Sequence, residues 1–310
     1  MNKNFRSITF LFLTALIWGT SFVTQSMGNE YMNPFTFSAA RNLLGCIVLL
    51  PLVIYKVKKS SNNTANITKM KIPLKITVIG GISCGLALTA SSLFQQYGVL
   101  YTTVSKAGFI TTLYIIITPI LGIFIKKKCP WTVWIGAGAA CIGMYFLCMT
   151  ENTSVLSLGD FLTLICAVLF AVHILVVDYY APKTDGVVLS CIQFFVCFVI
   201  SSILALIFDH PSSEQILNGI VPILYAGVLS SGVGYTLQIL GQKDFNPTAA
   251  ALILSLESVI STISAYFAYK IGFLSTDQTL TTMQIIGCVI VLAAVIFVQL
   301  PITNRKIKKL

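Results

Sequence analysis

Glu257 lies ten residues past Pro247 within an apolar run. A helix starting at Pro247 would therefore carry its carboxyl about 15 Å inward at about 1.5 Å per residue, near the middle of a bilayer. An ionisable group at that depth is costly and marks a functional position by default. Ala250, Leu254, Glu257, Ser261 and Ser264 fall on one helical stripe, small and polar enough for close helix packing or for a cavity wall. The carboxyl could bind a substrate ammonium or carry a proton; a hydrogen-bonded structural acid fits the same pattern. His173 sits in another apolar run. Its imidazole titrates near neutral pH, which suits a proton relay, and a core histidine satisfied by a neighbour is the equal alternative. Glu257 and His173 are the proton-coupling candidates. Arg41, seven residues after Pro34 and so roughly 10 Å deep, could hold a substrate carboxylate, pair with an acid or snorkel to the interface.

Trp18 shares a helical stripe with Thr14, Ser21 and Gln25 on an otherwise apolar segment. Tryptophan in membranes favours the interface, and this one is too deep for that, so it lines a cavity or packs a core. Gln95 and Gln238 could bond substrate or other helices. The substrate-binding candidates are Trp18, Ser21, Gln95, Tyr114, Gln238 and Glu257. Neither a metal site nor a cofactor is expected: none of the nine cysteines forms a CxxC pair, and the two histidines do not form HExxH. There is no phosphate-binding GxxxxGK[ST] loop and no paired intramembrane carboxylates, so an enzyme is not expected.

The elements that must position these residues follow from composition. The 310 residues are 56% hydrophobic and only 10% charged, with mean hydropathy +0.88. Soluble domains carry about 25% charged residues, so the solvent of this chain is largely the lipid bilayer. The net charge of +10 resides in short basic stretches between apolar runs, such as 56–59, 126–128 and 305–309. That pattern does not fit nucleic acid; it is how membrane proteins are oriented.

Ten apolar spans are predicted: 7–27, 35–55, 73–98, 103–125, 131–149, 158–178, 187–208, 218–241, 247–269 and 283–301. They are punctuated by Asn33-Pro34, Cys129-Pro130, Asp185-Gly186 and Asn246-Pro247. The first is read as a retained helix, since no small-x-small cleavage site follows it. With both termini on one side, that side collects 17 basic residues and the other only Lys270. The expectation is therefore a multi-pass protein of the cell membrane with cytoplasmic N- and C-termini. The oligomeric state is not readable.

A shift of 143 residues places Gln95 on Gln238, Ala107 on Ala250 and Tyr114 on Glu257. A shift of 152 places Trp18 on Phe170, Ser21 on His173, Ser38 on Ser190 and Arg41 on Gln193. The fold class expected is an all-α membrane protein of ten transmembrane helices in two five-helix repeats, 1–150 and 151–310. Five is odd, so the second repeat enters the membrane inverted, an architecture with two near-equivalent states facing opposite sides.

Residues 15–22 (Ala-Leu-Ile-Trp-Gly-Thr-Ser-Phe), 108–114 (Gly-Phe-Ile-Thr-Thr-Leu-Tyr) and 251–258 (Ala-Leu-Ile-Leu-Ser-Leu-Glu-Ser) resemble the ten-helix EamA-type branch of the drug/metabolite transporter superfamily. Where many relatives have Gly-Glu after the fourth and ninth helices, 126–128 here is Lys-Lys-Lys and 270–272 is Lys-Ile-Gly. The resemblance implies export or exchange of a small metabolite through a central cavity. Together with Arg41 and Glu257 it points to an amino acid-like substrate, moved by a secondary transporter. A membrane-embedded enzyme or a sensor is the alternative.

Overall fold

The computed structural model describes residues 3–62, 74–127, 129–148, 157–243, 245–274 and 278–299. The described residues are overwhelmingly helical. Fourteen α-helices run in order: α1 (Lys3–Tyr31), α2 (Pro34–Asn62), α3 (Leu74–Tyr101), α4 (Val104–Thr111), α5 (Tyr114–Phe124), α6 (Trp131–Cys148) and α7 (Leu158–Tyr180), then α8 (Gly186–Leu204), α9 (Ser213–Asn218), α10 (Ile220–Leu224), α11 (Thr236–Gln242), α12 (Pro247–Leu254), α13 (Leu256–Lys270) and α14 (Thr282–Gln299). Joined across their breaks they make eight segments long and apolar enough to cross a membrane, with two shorter apolar helices at Trp131–Phe146 and Thr282–Val298. The predicted spans 131–149 and 283–301 correspond to those shorter helices, and part of each lies outside the described residues.

Helix starts coincide with local capping chemistry. Asn246 Oδ1 accepts from the amides of Thr248 and Ala249, and Pro247 fits the first turn because it has no N–H to satisfy. Ser157 and Asp160 form a reciprocal capping box at α7. Asp185 caps α8 through the amides of Val187 and Val188, and its other oxygen takes the Lys56 ammonium at 2.6 Å. Burial disfavours the Asp185 carboxylate, but the Lys56 ammonium and the two amides outweigh it and hold the carboxyl below its ordinary pKa.

Two spans are broken midway, at Thr112-Leu113 between α4 and α5 and at Ser255 between α12 and α13. In both, a hydroxyl bonds back to the carbonyl three residues earlier: Thr112 Oγ1 to Phe109 O at 2.8 Å and Ser255 Oγ to Leu252 O at 2.7 Å. Such bonds compete with the helical ladder. A third span is α-helical only at its ends; residues Tyr225–Tyr235 between α10 and α11 wind in wider π-type turns.

The surface is apolar, as lipid embedding requires, and the interior mixes apolar side chains with many polar ones. Phe124, Leu206, Phe208 and Val221 are among the exposed large side chains, whereas Thr14, Ser38, Gln96, His173, Gln193 and Gln238 are fully buried. Helix α3 lies along α7 and α8, α2 along α8 and the π segment, α1 along α11, the π segment and α13, α5 along α7, and α6 along α14. Gly19 permits the α1–α13 approach, since a Cβ there would sit 2.5 Å from Ile260 Cβ and 2.9 Å from the Glu257 carbonyl. Gly138 has nothing within 4 Å of its would-be Cβ. Gly19→Ala is therefore expected to destabilise the folded protein by about 1–3 kcal/mol through overpacking. Gly138→Ala should leave it unchanged or slightly steadier, and thermal denaturation in detergent compares them.

Candidate functional site

The two helix breaks set the centre of the site. Two residues past Thr112 comes Tyr114, and two residues past Ser255 comes Glu257. Their side chains meet: the Tyr114 hydroxyl donates to Glu257 Oε1 at 2.9 Å, with both residues at most 2% exposed. The pair lines a small cavity with about 20 Å³ open to the centre of a water molecule, room for one or two waters.

Helix α1 supplies one wall with Trp18, Ser21, Phe22 and Gln25. These residues recur every three or four positions, so one helical face points inward. Arg41 of α2 and Gln95 of α3 contribute further polar wall, and Phe170 of α7 closes one end with Ser230 and Tyr235 of the π segment. Trp18 packs at tilted angles with its ring 4.4 Å from that of Tyr235 and 6.4 Å from that of Phe170, so three aromatic rings floor the cavity. The absence of a Cβ at Gly234 makes room for the indole, whose Nε1 would lie 2.9 Å from such an atom. Close by, Thr14 Oγ1 bonds the Gly234 carbonyl at 3.1 Å and pins α1 to that segment.

The wall is rich in unsatisfied polar atoms. Trp18 Nε1, Ser21 Oγ, Gln25 Oε1 and Arg41 Nε are buried without a hydrogen-bond partner. Each such atom costs about 1–3 kcal/mol when left unpaired, and together they offer donors, acceptors and a positive charge to a polar guest. Arg41 and Glu257 share the cavity but do not touch. The ion pairs among the described residues are Lys56–Asp185, Lys106–Asp160 and Lys127–Asp178, so Arg41 has no acid within pairing distance there.

Six sequence-derived candidates thus border one cavity: Trp18, Ser21, Arg41, Gln95, Tyr114 and Glu257. Gln238 and His173 do not. His173 is fully buried beyond the aromatic floor, its Nε2 3.1 Å from Gln193 Oε1. Gln238 is fully buried with both amide atoms unpartnered. Lys106, near the start of α4, reaches the buried Asp160 at 3.2 Å. Of the residues that sequence reasoning did not place at the site, Phe170 had a signal as the partner of Trp18 under the 152-residue shift. Ser230 had only its setting among poor helix formers, Gly227, Ser231, Gly232 and Gly234.

Among known proteins, the EamA-like transporter family model matches this chain twice, over residues 5–149 and 157–300. The chain belongs to the EamA-like transporter family. It is a multi-pass membrane protein of the drug/metabolite transporter class, with a small molecule as substrate. It is 29% identical to an uncharacterized transporter of Archaeoglobus fulgidus over 94% of this chain and 84% of that one. To an uncharacterized transporter of Clostridium kluyveri it is 24% identical over 83% of each. One crystal structure shares the fold at a TM-score of 0.71 and 17% identity, covering 97% of this chain and 98% of the other.

If Trp18 and Tyr114 contact the substrate, Trp18→Ala and Tyr114→Ala should lower flux by about tenfold or more, the effect of about 1.4 kcal/mol. Folded yield and Tm should stay near those of the unsubstituted protein for Trp18→Ala, and Tyr114→Ala should lose only the roughly 0.6–1.7 kcal/mol of an interhelical hydrogen bond. A Tm fall equivalent to about 3–5 kcal/mol, the cost of truncating a packed core aromatic, with flux lost in step, would assign both rings to packing.

Proposed function

We propose that the protein is a secondary transporter that exports or exchanges an amino acid-like zwitterion across the cell membrane by alternating access. The observation that carries this reading is the cavity with Arg41 and Glu257 in one wall and no ion pair between them. A zwitterion supplies both missing partners, its carboxylate to Arg41 and its ammonium to Glu257 or, by cation–π contact, to the Trp18 and Tyr235 faces. Ser21, Gln25 and Gln95 are placed to bond polar substituents. A cavity this small must widen to admit any amino acid, so binding is tied to a change of state.

Two inverted five-helix repeats, ten crossings in all, make that change possible. Several features support the repeat. The family model matches in two consecutive copies. The helix breaks at Thr112 and Ser255 are 143 residues apart, as are the caps Thr103 and Asn246. The packing pairs also exchange consistently: α3 with α7 corresponds to the α11 span with α1, α3 with α8 to the π segment with α2, and α5 with α7 to α13 with α1. Pairs α2–α8 and α6–α14 map onto themselves. With the basic residues facing the cytoplasm, the α1–α2 connection is external and the α7–α8 connection internal.

Glu257→Gln separates the roles open to the carboxyl. Gln is nearly isosteric and keeps a hydrogen bond from Tyr114. If Glu257 holds the substrate ammonium, binding should weaken at every pH by about 1–3 kcal/mol. If it carries the coupling proton, exchange of labelled for unlabelled amino acid in proteoliposomes should persist while the response to a pH gradient disappears. Binding, exchange and gradient-driven flux all unchanged in Glu257→Gln would remove Glu257 from the mechanism.

A further inference from the structure

A second group of unsatisfied polar side chains lies beyond the aromatic floor of the cavity. His173 Nδ1, Ser190 Oγ, Gln193 Nε2, both amide atoms of Gln238 and Gln242 Oε1 are buried without partners, and all five residues are fully enclosed. They converge on one place. His173 donates from Nε2 to Gln193 Oε1 at 3.1 Å, because an amide oxygen only accepts, and this leaves Nδ1 as a bare acceptor. The His173 ring lies 6.0 Å from the Tyr235 ring, and Gln242 Nε2 reaches the Ile174 carbonyl at 3.5 Å. Gln238 falls between Tyr235 and Gln242 on the same helical face, so it looks onto the same stretch of α7. Ser190 is one turn from Gln193 on α8.

Six orphaned polar atoms in one neighbourhood are more than packing accounts for. Native interiors leave few such atoms, and each needs an explanation. Helix–helix hydrogen bonding is no explanation here, since these are the atoms that made no such bond. The group also has a counterpart. Under the 152- and 143-residue shifts His173, Ser190, Gln193 and Gln238 fall on Ser21, Ser38, Arg41 and Gln95. Three of those four, Ser21, Arg41 and Gln95, line the cavity, and Ser38 Oγ is likewise orphaned.

The two groups sit toward opposite ends of the bundle. Ser21 and Arg41 lie toward the α1–α2 connection, whereas His173 and Ser190 flank the α7–α8 connection. Lys56, far along α2 from Arg41, pairs with Asp185 in that second connection. At the other end, the amide and hydroxyl of Thr36 near the start of α2 bond Asp209 just past α8. The α2–α8 pair is thus tied at both ends around the site.

We infer that His173, Ser190, Gln193 and Gln238 line a second polar chamber that fills with water and the substrate's polar groups when the transporter opens on the opposite face. The quartet contains a neutral imidazole, two amides and a hydroxyl but no fixed charge. It suits hydrated, uncharged hydrogen-bonding groups in transit, while Arg41 and Glu257 on the other side of the floor hold the charged ends. The inference rests on the alternating-access reading.

The test is sidedness of access. Single cysteines at Ser21, Ser190 and Gln238, in a chain whose nine native cysteines are replaced, are reconstituted and exposed to a membrane-impermeant methanethiosulfonate from each face in turn. Ser21→Cys is expected to react from one face, and Ser190→Cys and Gln238→Cys only from the other. No reaction at 190 and 238 from either face, or reaction of all three from the same face, overturns the chamber. A second measurement keeps the native cysteines: His173 should be carbethoxylated by diethylpyrocarbonate in proteoliposomes, more slowly than His210 near the end of α8. A His173 left untouched while His210 reacts fully has the same overturning force. Expected labelling without flux of any amino acid would sink the substrate reading and keep the chamber. Amino acid flux without labelling at 190 and 238 would do the reverse.

Discussion

The hydrogen bond from Tyr114 to Glu257 is the constraint on which the interior is organised. It joins two spans where both depart from regular helix, beside the backbone-bonded hydroxyls of Thr112 and Ser255. A carboxyl in the middle of a bilayer needs a partner, and a break in a helix needs its freed backbone groups enclosed in protein rather than lipid. Bringing the breaks together at the centre of the bundle satisfies both requirements at once. The cavity forms around that junction because two interrupted helices cannot pack with the density of two continuous ones. Arg41 and Trp18 then complete walls whose geometry the junction sets.

Buried polar groups and an apolar surface run through the rest of the molecule. Most interior polar groups are spent on adhesion between helices: Gln96 donates to the Gln25 carbonyl and Asn29 Oδ1, Thr102 bonds Asp160, and Thr20 bonds Tyr225. Those bonds are satisfied and lie toward helix ends or the periphery. Many of the unsatisfied atoms lie in the cavity wall or behind its aromatic floor, and others, such as Thr132 Oγ1 and Ser201 Oγ, are spread along the spans. This division separates groups that hold the bundle together from groups left free for something that comes and goes. In keeping with it, the ion pairs among the described residues tie the ends of the bundle, Lys106–Asp160 at one and Lys56–Asp185 and Lys127–Asp178 at the other.

The helices themselves were legible from apolar run length and from breakers that prove to be caps, Asp185 and Asn246. Their ends were not. Helix α1 extends from Lys3 to Tyr31 where the apolar run covers only 7–27, because helical hydrogen bonding continues past the hydrocarbon-like stretch into polar flanks. The midspan breaks were invisible because Thr112 and Ser255 are unremarkable in composition, and serines within unbroken helix, such as Ser91 and Ser258, make the same hydroxyl bond to the carbonyl three residues back. The π-type winding of 225–235 was hidden for a similar reason. Single-helix stripes placed Trp18, Ser21 and Gln25 together, and membrane depth pointed to Arg41 and Glu257. Neither signal says which compartment a face enters, which is why His173 and Gln238 were grouped with a cavity they do not border.

A double-mutant cycle on Tyr114→Phe and Glu257→Leu, read as the stability of the purified protein in detergent, bears most directly on the claim that the junction of the two breaks organises the site. Each substitution roughly keeps volume and removes one side of the bond. Interhelical hydrogen bonds in membranes couple by about 0.6–1.7 kcal/mol, and the account expects a coupling in or above that range. Strictly additive effects would contradict it, because two side chains at the centre of the bundle would then be meeting without holding anything together.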